Sequence, residues 1–260
     1  MKRRYWLGGI LLAAALAICS MLVWRALPHE TPEARARAAV EARERPAAAP
    51  EASPGPEGTQ PPYESPVDFD ALWEMNPDIY AWLYIPGTQI NYPILQREGE
   101  DGYYLNHNSE GKRDVNGAIF TERTYNGKDF SDPATLIYGH YTDSGIMFGG
   151  LQAAYSDLEG LEQFREIIVY LPDRELRYEV FAGVPHGKEH ILYYYDFSNP
   201  EEYRAFVEEA LSVRSIGASV DRDAEPSTDD KLLILSTCLR GDGNRRYLVM
   251  AKMGSGNASH

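Results

Sequence analysis

The stretch KLLILSTCLRGDGNRRYLVMAKM, Lys231 to Met253, reads as two β-strands joined by a turn. Leu232 to Leu235 is an unbroken apolar run, the pattern of a strand buried on both faces. Ser236, Thr237 and Cys238 follow where that strand should surface into the loop Leu239 to Arg245. Gly241, Asp242, Gly243 and Asn244 supply turn chemistry, and Arg246 opens the returning strand Tyr247 to Met253. Closing this hairpin brings Arg246 near Cys238.

Upstream, Thr135 to Tyr138 makes a similar strand ending in Gly139 and His140. Glycine permits close approach there, and the imidazole can exchange protons near neutral pH. Further β-type runs lie at Ala81 to Ile85, Tyr92 to Leu95, Ala118 to Thr121, Ile167 to Leu171 and Leu176 to Val184. Lys231 to Thr237 and Tyr247 to Met253 bring the total to eight short strands between Gly, Asn and Asp turns, which predicts a closed β-barrel. The fold class is mostly β with peripheral helices.

Ser65 and Pro66 suit a helix start, with Phe69, Leu72 and Trp73 on one face, and a second short helix is expected around Pro77 to Trp82. One long helix precedes the Cys238 strand. Asn199 can cap it, Pro200 fits its first position, Glu201 and Glu202 suit its positive end, and Tyr203, Phe206, Val207, Ala210 and Leu211 fall at helical spacing. The folded domain therefore runs over 65–253, with a polar tail at 254–260.

Of 260 residues, 43% are hydrophobic and 12% aromatic, enough for a real core, so a wholly disordered or fibrous chain is excluded. Net charge is −14, and residues 63–260 alone carry 17 basic against 33 acidic side chains. So negative a surface repels phosphate backbones, which argues against a nucleic-acid partner. Two cysteines, Cys19 and Cys238, exclude a disulfide scaffold and a Cys-based zinc site.

At the N-terminus a basic tail, residues 1–4, precedes an uncharged run from Tyr5 to Trp24. At about 1.5 Å per residue its twenty residues span roughly 30 Å, one hydrocarbon core. Basic residues on the short leading side keep that side cytoplasmic. The expectation is a single-pass anchor in the cell membrane with an extracellular domain. A cleavable signal peptide fits less well, because cutting near Ala13 to Ala17 falls inside the apolar run. Lipidation of Cys19 is disfavoured by the bulky Ile18 before it. The stretch Pro28 to Pro66 holds nine of the 17 prolines and many alanines, with only Val40 and Tyr63 as sizeable hydrophobes. Residues 25–64 read as a solvated stalk with a transient helix over Glu33 to Arg45, supported by Glu33 with Arg37 and Glu41 with Arg45.

Three patterns compete for attention. His186, Glu189 and His190 spell H-x-x-E-H, which binds zinc only on a helix; Pro185 and Gly187 disfavour one, and in a strand positions four apart lie about 13 Å from each other. Asp221, Asp223 and Glu225 resemble a calcium loop, but Pro226 stands where glycine is needed. Asn257 opens a sequon in a short polar tail.

The chemistry converges on Cys238, His140 and Arg246. A free thiol outside a membrane is open to oxidation, and use as a nucleophile explains its presence. Each residue also has a plain reading: a small buried hydrophobe, a turn residue and a surface charge.

The ordered set resembles the sortases. Leu235, Ser236, Thr237, Cys238 matches their L-S-T-C signature. Ile137 to His140, followed by Met147, Phe148 and Leu151, is similar to their histidine segment, and Arg246 ahead of Leu248 to Lys252 to their arginine strand. Class B in particular is suggested by the opening helices, Trp82 through Thr88, Ile90 to Pro93, Tyr103 to Leu105, Gly117 to Phe120 and the long helix. The resemblance covers about residues 66–253.

It implies a sortase-type barrel and a cysteine transpeptidase. Such an enzyme cuts a C-terminal sorting signal on an exported protein and joins the new carboxyl end to an amine of the peptidoglycan precursor. Cys238 would be the nucleophile, His140 the general acid and base, and Arg246 the oxyanion and backbone clamp. Arg246 rather than Arg245 has the family's spacing to Ala251 and shares a face with Leu248 and Met250. Leu105, Leu192 and Tyr193 resemble groove-lining positions, with outer packing as the alternative, and Ser236 and Thr237 would shape the floor or simply complete the strand. No metal or cofactor is implied. An exported cysteine hydrolase and a non-catalytic anchored binding module are the competing classes.

Overall fold

The computed structural model describes residues 31–45 and 63–254. The anchor expected at 5–24, the basic tail 1–4, Cys19 and the Asn257 sequon lie outside them. Among the described residues no helix is long and apolar enough to cross a membrane.

The strands are β1 (Ile79–Tyr84), β2 (Asn91–Leu95), β3 (Ile119–Phe120), β4 (Ala134–Tyr138), β5 (Glu166–Tyr170), β6 (Glu175–His186), β7 (Ser219–Val220), β8 (Leu232–Leu239) and β9 (Asp242–Met253). Eight of them pair in the order β5-β1-β2-β3-β4-β8-β9-β6, and β6 pairs back to β5, closing the barrel. β7 adds to β6 from outside. The expected eight-stranded barrel is present, with a ninth strand on its exterior.

Alternation along the strands explains why their sequences are so apolar. Leu83, Ile94, Ile137, Val169, Val180, Leu233, Leu235 and Val249 all fall in one buried cluster to which every barrel strand contributes. Leu136, Leu232, Ile234, Leu248 and Met250 pack in a second cluster with Phe206, Val207, Ala210 and Leu211. β8 is thus covered on both faces, and its unbroken run follows. Each such buried aliphatic or aromatic side chain contributes about 1.5–3 kcal/mol.

The covering helix, Pro200–Ser212, forms as its sequence predicts, with the Asn199 side chain accepting from the Glu201 N–H at 2.9 Å. The short helix expected around Pro77 to Trp82 does not form. Ile79–Tyr84 is instead strand β1, buried throughout and paired with β2 and β5. The strand expected at Ala81 to Ile85 is thus present but begins two residues earlier, where Ile79 pairs with Leu95, a partner that local spacing could not reveal. The preceding helix is Phe69–Met75, capped by Asp68.

A second difference concerns the segment read as stalk. Pro32–Glu44 forms a helix, α1, capped by Thr31, and Ala36 and Val40 are buried. These two residues, four apart, make a narrow apolar stripe that packs with Leu72, Trp82, Leu95 and Tyr170. Polar contacts complete the seat: Asn91 Nδ2 donates to Arg37 O and Glu41 Oε1, both at 3.2 Å, and Tyr170 donates to Glu44 at 2.7 Å. Arg43 pairs with Glu175 at 2.8 Å and Arg177 with Glu44 at 3.2 Å. This part of 25–64 belongs to the folded unit.

Candidate active site

β4 and β8 run parallel with Tyr138 opposite Ser236, and the Gly139 N–H donates to Ser236 O at 3.1 Å. His140 and Cys238 each come two residues after that pair, so the two strand ends deliver imidazole and thiol to the same rim. Gly139 is required by crowding: a Cβ there would stand 2.6 Å from Ile119 Cδ1 and from the Phe148 ring. The Phe148 N–H donates to His140 O at 3.0 Å and fixes the backbone beyond.

β8 and β9 are longer than expected, continuing to Leu239 and Asp242 around Arg240 and Gly241. The ladder shifts between Cys238, opposite Arg246, and Leu239, opposite Asp242, which leaves 243–245 as a bulge. The bulge sets the register. Arg246 Nη1 reaches Cys238 Sγ at 3.7 Å and donates to Gly243 O and Arg245 O at 3.1 and 3.2 Å. Cys238 is free and half-buried.

The three side chains line one cavity of about 230 Å³. Leu105, Phe120, Leu136 and Ile191 give it apolar wall, and Ser236 and Thr237 also border it. Of the residues expected to bind substrate, Leu105, Ser236 and Thr237 are therefore at this cavity. Leu192 and Tyr193 are not: they line a neighbouring hollow with Tyr125 and Tyr195.

Residues that the sequence did not single out for the groove form its polar wall. Glu122 Oε2 lies 2.6 Å from His190 Nε2, and the half-buried Tyr138 hydroxyl donates to Glu122 at 3.1 Å. Tyr138 is held protonated, chiefly by burial and then by the Glu122 charge, which push its pKa up. The triangle joins β4, the segment after β3 and the cap of the short helix Ile191–Tyr194, fastening the groove wall to the barrel. The H-x-x-E-H pattern was the available signal, weighed only as a zinc motif and set aside. His186 ends β6 and His190 caps that helix, so the two imidazoles do not share a helical face. Likewise Asp221 is engaged by Arg165 at 2.7 Å and by the Asp223 N–H.

A thiol, an imidazole and a guanidinium on adjacent strand ends of a closed barrel are the parts of a cysteine acyl-transfer enzyme. A family model for the sortase domain matches residues 83–254, nearly the whole barrel, and the chain belongs to the sortase family of cysteine transpeptidases. Its relatives place it in class B. Sortase B of Staphylococcus aureus is 27% identical over 187 residues, covering 71% of this chain and 74% of that protein. Sortase B of Listeria monocytogenes is 31% identical over 169 residues, covering 64% and 65% respectively. The solved Staphylococcus aureus sortase B–substrate complex superposes with a TM-score of 0.61 at 27% identity, covering 72% of this chain and 84% of that one.

Proposed function

We propose that this sortase cleaves a C-terminal sorting signal on exported proteins and transfers the new carboxyl end to an amine of the peptidoglycan precursor. The Cys238 thiolate adds to the scissile carbonyl. Arg246 stabilises the oxyanion and the substrate backbone, and protonated His140 gives its proton to the departing amine, leaving a thioacyl enzyme. The neutral imidazole then takes a proton from the incoming amine as its nitrogen attacks the thioester. Collapse forms the new amide and restores the thiolate.

The observation that carries this reading is the single cavity bordered by Cys238, His140 and Arg246, with the guanidinium 3.7 Å from the sulfur. The same proposal places the catalytic domain outside the cell, tethered to the bilayer by 5–24. A membrane-held substrate would meet a membrane-held enzyme at raised effective concentration.

The test offers the full-length protein a library of sorting peptides with and without a nucleophilic amine. Peptide joined to the amine in preference to released acid supports transpeptidation. Release to water alone, unaffected by amine, makes the protein a hydrolase and overturns the proposal.

A further inference from the structure

His140 Nε2 lies 2.6 Å from the backbone carbonyl of Leu105. A carbonyl only accepts, so Nε2 carries the proton in this contact and Nδ1 is left as the nitrogen that exchanges protons. The contact survives a catalytic cycle, because Nε2–H is present in both the neutral and the charged ring. Leu105 closes a single 3-10 turn, Tyr103–Leu105, whose own geometry is soft. Something must hold its carbonyl in place.

Two anchors do so. The Tyr104 hydroxyl donates to Asp78 Oδ2 at 2.7 Å and accepts from Asn76 Nδ2 at 2.9 Å, pinning the turn from the barrel side. From the other side, the chain entering β3 lies flush against the turn: the Ala118 N–H donates to Tyr104 O at 2.9 Å. This approach needs Gly117, which has φ +58° and no room for a Cβ. An added methyl would collide with Tyr104 O and stand 2.9 Å from Leu105 O.

We infer that Gly117 is a positioning residue for the reaction, acting through the Leu105 carbonyl to fix the ring and the reactive nitrogen of His140. The inference rests on the acid and base role proposed above for His140. Gly117 touches neither the thiol nor the cavity, so its effect must travel through that carbonyl.

The experiment combines imidazole ¹⁵N spectra and steady-state kinetics on the full chain. Wild-type neutral His140 should be a single Nε2–H tautomer. Gly117→Ala should give mixed tautomers and a kcat lowered about 10- to 100-fold, the usual effect of misplacing a reacting group by about an ångström, with KM within about twofold. Tyr104→Phe, which keeps the ring and loses both hydroxyl contacts, to Asp78 and Asn76, should move the same two readouts in the same direction by a few-fold. It carries the test if Gly117→Ala fails to fold. Leu105→Ala, which keeps the carbonyl, should leave the tautomer unchanged. An Nδ1–H tautomer in the wild type, or unchanged tautomer and kcat in the folded variants, overturns the inference. Wild-type turnover by His140→Ala would instead overturn the functional reading, leaving the hydrogen bond as a structural contact.

Discussion

Arg246 stands directly opposite Cys238 across the β8–β9 ladder, with its Nη1 at 3.7 Å from the sulfur, while Arg245 belongs to the adjoining bulge. The guanidinium also bonds two backbone carbonyls, so its fork is held before any substrate arrives. Lysine keeps the charge and loses this geometry. Arg246→Lys is expected to lower kcat/KM at least 100-fold, the scale of a lost oxyanion donor, and Arg245→Lys to change it less than about threefold. Steady-state transpeptidation rates check this, and the reverse ranking would mean that the register has been misassigned.

The Glu122, His190 and Tyr138 triangle fastens the groove wall without touching the thiol. Removing the carboxylate by Glu122→Gln weakens a charge-assisted contact worth about 1.5–3 kcal/mol. A KM raised roughly tenfold with kcat nearly unchanged is expected, since a looser wall affects binding before chemistry. A fall confined to kcat would count against a wall-holding role.

Val40 has no exposed surface and packs under α1. Val40→Asp places a carboxylate there and should undock the helix, costing roughly 3 kcal/mol. Hydrogen exchange at 34–45 should accelerate to unprotected rates while β8 stays protected. Unchanged protection would show that the helix is not held by this stripe.

Burial pushes the hydroxyls of Tyr80, Tyr155 and Tyr178 well above their ordinary pKa. The folded state keeps these protons where the unfolded chain releases them. Their contribution is therefore complete below about pH 10 and is lost as pH climbs toward the folded values, at up to about 1.4 kcal/mol per pH unit for each ring. Denaturant titrations from pH 9 to 12 should show stability falling, and phenolate absorbance should rise in step with unfolding. Full ionisation of all 18 tyrosines in a still-folded protein would contradict this.

The hairpin with Cys238 and Arg246, the strand ending at His140 and the long capped helix were legible because each depends on local pattern. Other features depend on distant partners. β1 starts at Ile79 rather than at Ala81 because Ile79 pairs with Leu95 of β2, and α1 docks because Asn91, Tyr170, Glu175 and Arg177 meet it from far along the chain. Val40 alone could not announce that. Glu122 and His190, 68 positions apart, form a contact no spacing rule anticipates. The Leu239 to Arg245 loop proved to be largely strand and bulge, because turn-forming glycines also suit a bulge.

The central claim is that Cys238 carries the acyl group. The full-length protein incubated with a sorting-peptide library should gain a mass equal to an acyl fragment, mapped by digestion to Cys238 and discharged when an amine is added. Absence of that adduct, or its persistence in Cys238→Ala, would contradict the assignment.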